Sequence, residues 1–137
     1  MDVGHYTAEP GVISASGVPE FEFNRALAFD IKKELEQFQI RVRLIGERGD
    51  YAVLHHRTRD ARGAELFVSI HHDSVKDRLL PEAGRFAGFS LFVSRANPFP
   101  EKSLACAAAI GAKNARKRFY AVALSRRRAG RRFAPVC

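Results

Sequence analysis

The sequence predicts an α/β protein of one domain, with helices packed on a mixed, mostly parallel sheet. Three observations carry that reading. From about residue 20 to 37, Phe23, Leu27, Ile31, Leu35 and Phe38 recur at steps of four, four, four and three, the period of an amphipathic helix. A period-two stretch follows at residues 40–45, and a nearly continuous apolar run occupies residues 66–70. Strand patterns alternating with helical ones argue for a sheet covered by helices. A chain of 137 residues supplies enough buried surface for one compact core.

The elements follow in order. The first helix turns its five apolar positions to the core and carries Lys32, Lys33 and Glu36 on its polar side. Over residues 40–45, Ile40, Val42 and Leu44 alternate with Arg41 and Arg43, which describes a half-buried strand. Residues 54–63 read as a second, short helix. The apolar run 66–70 fits a central strand buried on both faces. Residues 89–93 form a further strand, closed by Asn97-Pro98 and Pro100. Ser103 then opens an Ala-rich helix, its hydroxyl serving as the N-cap.

The net charge of +8 is concentrated at one end. Up to residue 112 there are 14 basic and 15 acidic side chains, whereas residues 113–137 hold 9 basic and no acidic ones. A block of like charge without period is expected to stay solvated and poorly ordered. The chain therefore divides into a folded part, 1–112, and a basic tail, 113–137. Such a tail can hold polyanions by counterion release, but the folded part is nearly neutral and carries no nucleic-acid-binding motif, so no specific nucleic-acid partner is expected. No apolar run of about 18 residues is present, which predicts no membrane span. Met1 is followed by a charged, Gly-containing segment rather than a basic and then apolar leader, which predicts no signal peptide. Cys106 and Cys137 make no disulfide framework or metal spacing, and Cys106 is expected as a small buried hydrophobe.

The chemistry concentrates in two short segments, Asp2-Val3-Gly4-His5 and Ser69-Ile70-His71-His72-Asp73-Ser74, with Glu20 between them at the start of a helix. Strand ends and helix starts are where α/β folds gather their active groups. Two imidazoles and one carboxylate suit a zinc ion that keeps its fourth position open for water, which is a hydrolase site. His71 and His72 are strand neighbours and point to opposite faces in regular geometry, so only one of them is expected to reach a single ion. Asp2 is either an acid at a frayed terminus or a carboxylate that accepts a hydrogen bond from a ligand histidine and fixes its tautomer. His55 and His56 fall on the polar side of the short helix and are set aside. Glu82 and Glu101 are expected at helix starts or in solvated loops.

Taken together, the run Asp2 to His5, the loop through Pro10 and Gly11, the Pro19-Glu20 step followed by Asn24, the Arg57 segment and the stretch from Leu66 to Ser74 resemble the zinc-dependent N-acetylmuramoyl-L-alanine amidases. These cell-wall hydrolases cut the amide between the lactyl group of N-acetylmuramic acid and the first L-alanine of the stem peptide. The resemblance spans about residues 1–111. It implies zinc as cofactor and His5, Glu20 and His71 as its ligands, which leaves His72 behind the ligands or facing substrate, and the two readings of Asp2 stay open. It implies peptidoglycan or a muropeptide as partner and a periplasmic or extracellular location.

The resemblance also implies features that the motifs do not supply. In such amidases an apolar strand leads into the first motif, whereas here only Met1 precedes Asp2. A later strand delivers a general-base glutamate, yet no acid follows Glu101. The expectation is an amidase domain incomplete at both ends, truncated at its C-terminal side, that keeps zinc but hydrolyses poorly, with its catalytic base unassigned. A non-catalytic muropeptide-binding module is the alternative, and a polyanion-binding protein acting through the basic tail ranks third.

Overall fold

The computed structural model describes residues 1–94 and 96–116. The chain forms two compact units, one from Met1 to Ser74 and one beginning at Val75, and each is described by itself. The elements are helices and a small parallel sheet of two strands, an α/β arrangement.

In the first unit β1 (Asp2–Val3) pairs in parallel with β2 (Ser69–Ile70), with Asp2 opposite Ser69 and Val3 opposite Ile70. Gly4 continues the ladder by donating its N–H to the Ile70 carbonyl at 3.0 Å. The strand expected over residues 40–45 is reduced to one parallel bridge between Asp2 and Ile45. β1 offers two residues for pairing, so it cannot template a six-residue partner, and Ile40 lies half exposed. The run 66–70 likewise contributes only Ser69–Ile70, and Leu66 is exposed rather than buried on both faces.

Helix α1 (Glu20–Gln37) lies on both strands. Its first N–H groups are taken up by the preceding loop: Glu20 donates to the Val12 carbonyl at 2.8 Å and Phe21 to Pro10 at 2.9 Å. Glu20 and Glu22 in the first turn complement the helix dipole. The helix closes with paired bonds from Ile40 N–H to Leu35 and from Gln39 N–H to Glu36, with Gln39 left-handed at φ 61°. The face turned to the sheet is a correction to the expected stripe. Phe21, Asn24 and Ala28 are buried, while Phe23 and Leu27 are about 40% exposed. The core consists of Val3, Phe21, Ala28 and Ile70, with Met1, Ile31 and Leu44 packed against it. Helix α2 (Leu54–Asp60) ends before the expected residue 63, and its one buried side chain is Arg57.

The second unit opens with a 3₁₀ helix, Asp77–Phe86, that no sequence period announced. Residues 89–93 form no strand among the described residues, and Phe92 is exposed. Helix α3 (Pro100–Arg116) begins at Pro100, with proline at the first helical position where its missing N–H costs nothing. Ser103 is therefore inside the helix rather than its cap. Asn97 serves the entry instead: its Oδ1 accepts the Phe99 N–H at 2.8 Å and its Nδ2 donates to the buried Ser103 hydroxyl. Cys106 is half-buried and unpaired. The helix continues past residue 112 to Arg116, and the rest of the expected basic tail lies outside the described residues.

Candidate metal centre

Three elements of the first unit deliver the candidate ligands. His5 sits in the turn that follows β1, Glu20 is the first residue of α1, and His71 directly follows β2. One ligand atom from each lies within 4.8 Å of the other two, a spacing able to hold a metal ion. Glu20 stands between the histidines, with Oε2 3.1 Å from His5 Nε2 and Oε1 3.2 Å from His71 Nδ1. The His5 and His71 rings meet edge to face at 5.1 Å. Glu20 is buried, His5 is partly exposed and His71 is exposed, so the group opens to solvent on the histidine side.

The backbone makes room for this group. A Cβ on Gly4 would stand 2.5 Å from His71 Cε1 and 2.6 Å from its Nε2. At Gly11, whose φ is +79°, a Cβ would stand 2.6 Å from Glu20 Oε2 and 2.9 Å from His5 Cδ2. Both positions thus require glycine. His5 itself is left-handed at φ 68°, an uncommon conformation for a residue with a Cβ.

Arg57 holds that turn. Its guanidinium donates to the His5 carbonyl, to the Val3 carbonyl and, at 2.9 Å, to Tyr51 O. It also pairs with Asp2 at 2.7 Å. The Asp2 carboxylate accepts from Arg57 and, through Oδ2, from the Ser69 hydroxyl at 2.6 Å. Among the described residues it receives no hydrogen bond from a histidine, so Asp2 supports the site through Arg57 rather than by fixing an imidazole tautomer.

Asn24, fully buried one turn after Glu20, ties the other side together. Its Nδ2 donates to the Gly4 carbonyl at 3.2 Å and to Glu20 Oε1 at 3.4 Å, and its Oδ1 lies 2.7 Å from His72 Nδ1. The His72 backbone N–H also donates to Glu20 Oε1 at 3.0 Å. Burial works to raise the Glu20 pKa, but the hydrogen bonds from His72 and Asn24, the neighbouring His5 and the Val12 backbone outweigh it. The carboxyl is held below the ordinary glutamate range, as a charged ligand needs to be.

His72 thus belongs to the site's surroundings, whereas His55 and His56 do not. Their rings stack edge to face on α2, and His56 lines a separate cleft with Tyr51 and Asp60. Sequence motifs drew attention to Asn24 and Arg57 but assigned them no role. Buried polar side chains whose partners are backbone groups and polar side chains distant in sequence carry no periodic signal.

Two histidines and a buried carboxylate at the edge of a parallel sheet give an α/β protein with a group of side chains able to hold a metal ion and open to solvent. The chain belongs to the Amidase_3 family of N-acetylmuramoyl-L-alanine amidases, whose model matches residues 1–130. The match continues past residue 111, where the recognisable motifs end, into the basic segment. Among curated proteins none matches this chain. By family it is a peptidoglycan amidase, and the family's setting is extracellular or periplasmic. No helix among the described residues is long and apolar enough to cross a membrane.

Proposed function

We propose that this chain binds zinc through His5, Glu20 and His71 and hydrolyses the amide between N-acetylmuramic acid and L-alanine in peptidoglycan. The observation that carries the reading is the convergence of these three side chains within 4.8 Å in a member of the amidase family. The donor set favours zinc: two imidazole nitrogens, borderline donors, together with one carboxylate oxygen suit it and leave a position free for water. Zinc held there supplies polarisation of the scissile carbonyl and activation of water.

The chain's own residues prepare that chemistry. Glu20 stays ionised beside both imidazoles, Asn24 fixes the carboxylate, and Arg57 holds the His5 turn. No acidic side chain occurs in residues 102–137 to serve as the downstream general base. Positioned general bases contribute typically ~10²–10⁴-fold, so residues 1–137 on their own are expected to bind metal and muropeptide and to turn over slowly. That same asymmetry supports the second reading, a muropeptide-binding module.

Zinc content of the purified chain, followed by zinc-dependent release of stem peptide from cell walls, tests the proposal. Stoichiometric zinc with slow, chelator-sensitive release supports it. Zinc with muropeptide binding and no release selects the binding module. Absence of zinc binding overturns both.

A further inference from the structure

A pocket of about 230 Å³ opens beside the candidate metal centre, walled by Val12, Ile13 and Phe23, rimmed by Ser14, Asp73 and Ser74, and reaching Glu20 and His72. Val12 and Ile13 come from the loop that caps α1, and Phe23 projects from the first turn of that helix. All three are substantially exposed although apolar, because the faces they present line this opening. The His72 ring lies 5.8 Å from the Phe23 ring, at the end nearest the metal centre.

The hydrogen bonds of Asn24 fix the chemistry of His72. Asn24 Nδ2 has two acceptors, the Gly4 carbonyl and Glu20 Oε1, so the atom facing His72 Nδ1 at 2.7 Å is the amide oxygen. An oxygen acceptor there requires the proton on Nδ1. In the neutral ring Nε2 therefore keeps its lone pair, and among the described residues no hydrogen bond reaches it. His72 presents an oriented acceptor beside apolar walls.

We infer that His72 is a substrate-binding residue and that the pocket takes the L-alanine end of the stem peptide. The alanine methyl packs on Val12, Ile13 and Phe23, and the amide N–H that follows the alanine donates to His72 Nε2. This rests on the substrate reading given above. A methyl group and one amide donor match a mostly apolar lining beside the His72 acceptor. The hydroxyl-rich sugar on the other side of the scissile bond would set most of its hydroxyls against Val12, Ile13 and Phe23, where they lose hydration, leaving only the rim of Ser14, Asp73 and Ser74 to pair with.

The test uses the full chain loaded with zinc and calorimetric titration with three probes. These are N-lactoyl-L-alanyl-D-isoglutamine, the same compound methylated on the peptide nitrogen that joins alanine to isoglutamine, and N-acetylmuramic acid. The inference expects His72→Phe to keep zinc binding and to weaken the first probe about five- to tenfold, the range of one neutral hydrogen bond. The methylated probe should bind the unaltered chain equally weakly and lose nothing further in His72→Phe, as a coupled pair requires. Ile13→Trp, which fills the pocket from its apolar wall, should weaken both peptide probes. If His72→Phe does not fold, the methylated probe and Ile13→Trp carry the same decision. Peptide binding indifferent to His72→Phe and to methylation overturns the inference and leaves the substrate reading intact. N-acetylmuramic acid binding that depends on His72 overturns it in favour of a sugar subsite. No binding of the first probe to the zinc-loaded chain overturns both.

Discussion

Arg57 and Asp2, 55 positions apart in sequence, form a buried ion pair in which Nη1 approaches Oδ1 at 2.7 Å, both side chains being about 5% exposed. The pair joins α2 to the start of β1, and the same guanidinium reaches the carbonyls on either side of Gly4. Its Nε is buried without a partner, so the fork is committed to the turn rather than to its own full satisfaction. Removing one member of a buried pair leaves an uncompensated charge and costs about 3–5 kcal/mol. Arg57→Leu is expected to lose stability in that range by urea denaturation. Arg57→Lys is expected to fold better yet bind zinc more weakly, because an ammonium cannot reproduce the fork that holds the His5 carbonyl. Unchanged zinc affinity in a folded Arg57→Lys would remove Arg57 from the site's support.

Glycine positions separate the site from the scaffold. Gly4→Ala places a methyl 2.5 Å from both His71 Cε1 and the Ile70 carbonyl, so the ring must leave its position. Zinc affinity is expected to fall at least about tenfold, which is 1.4 kcal/mol. Gly84→Ala, with no atom within 4 Å, is the control and should bind zinc normally. Equal affinities for the two variants would place the metal elsewhere.

Zinc should also stabilise the fold, since the ligands come together only in the native chain. At a free zinc concentration 100 times the dissociation constant the gain is about 2.7 kcal/mol. Thermal denaturation with and without chelator reads it directly. His71→Ala and Glu20→Gln should abolish the gain, and His55→Ala should keep it. A gain that survives in His71→Ala would point to a different ligand set.

Asp60 gives a pH signature remote from the metal. The hydrogen bond from Arg59, and then that from Tyr51, hold its carboxyl below the ordinary aspartate range. The unfolded chain therefore takes up this proton first as pH falls. The stabilisation is present in full above about pH 4, the ordinary aspartate value, and is lost as pH drops through the lower folded value. Asp60→Asn should be less stable than the unaltered chain at pH 7, and the gap should close below pH 4. A gap independent of pH would show that packing, rather than charge, is what Asp60 contributes.

The convergence of the candidate ligands was more legible in the sequence than the packing around them. His5, Glu20 and His71 stand out because a metal needs these donor types, and two of the three sit in compact motifs at strand ends. Helix α1 was legible as a helix, but its buried face was not. The strongest hydrophobes, Phe23 and Leu27, suggested one stripe, while the sheet is met by Phe21, Asn24 and Ala28. Asn24 is buried to hold Glu20 and His72, a polar duty that a hydrophobic period counts against it. Phe23 is exposed for a related reason, since it walls the pocket that reaches Glu20 and His72. Over residues 40–45 the alternation was real, but strand length is set by the partner, and β1 supplies two residues.

That difference between pattern and packing can be measured on α1 alone. Phe21 is 5% exposed and sits in the core with Val3 and Ile70, so Phe21→Ala should cost about 3–5 kcal/mol. Ala28 is fully buried in the same cluster, and Ala28→Leu forces extra volume against the sheet at about 1–3 kcal/mol. Leu27 is 40% exposed, and Leu27→Ala forfeits only part of a leucine's burial, about 1 kcal/mol or less. Urea denaturation of the three variants at one pH, with and without zinc, ranks them without reference to activity. The order Phe21, Ala28, Leu27 follows from the observed face. If Leu27→Ala proved the most damaging, the helix would rest on the stripe that its hydrophobes draw, Asn24 would turn to solvent, and the hydrogen bonds that orient Glu20 and His72 would be lost with it.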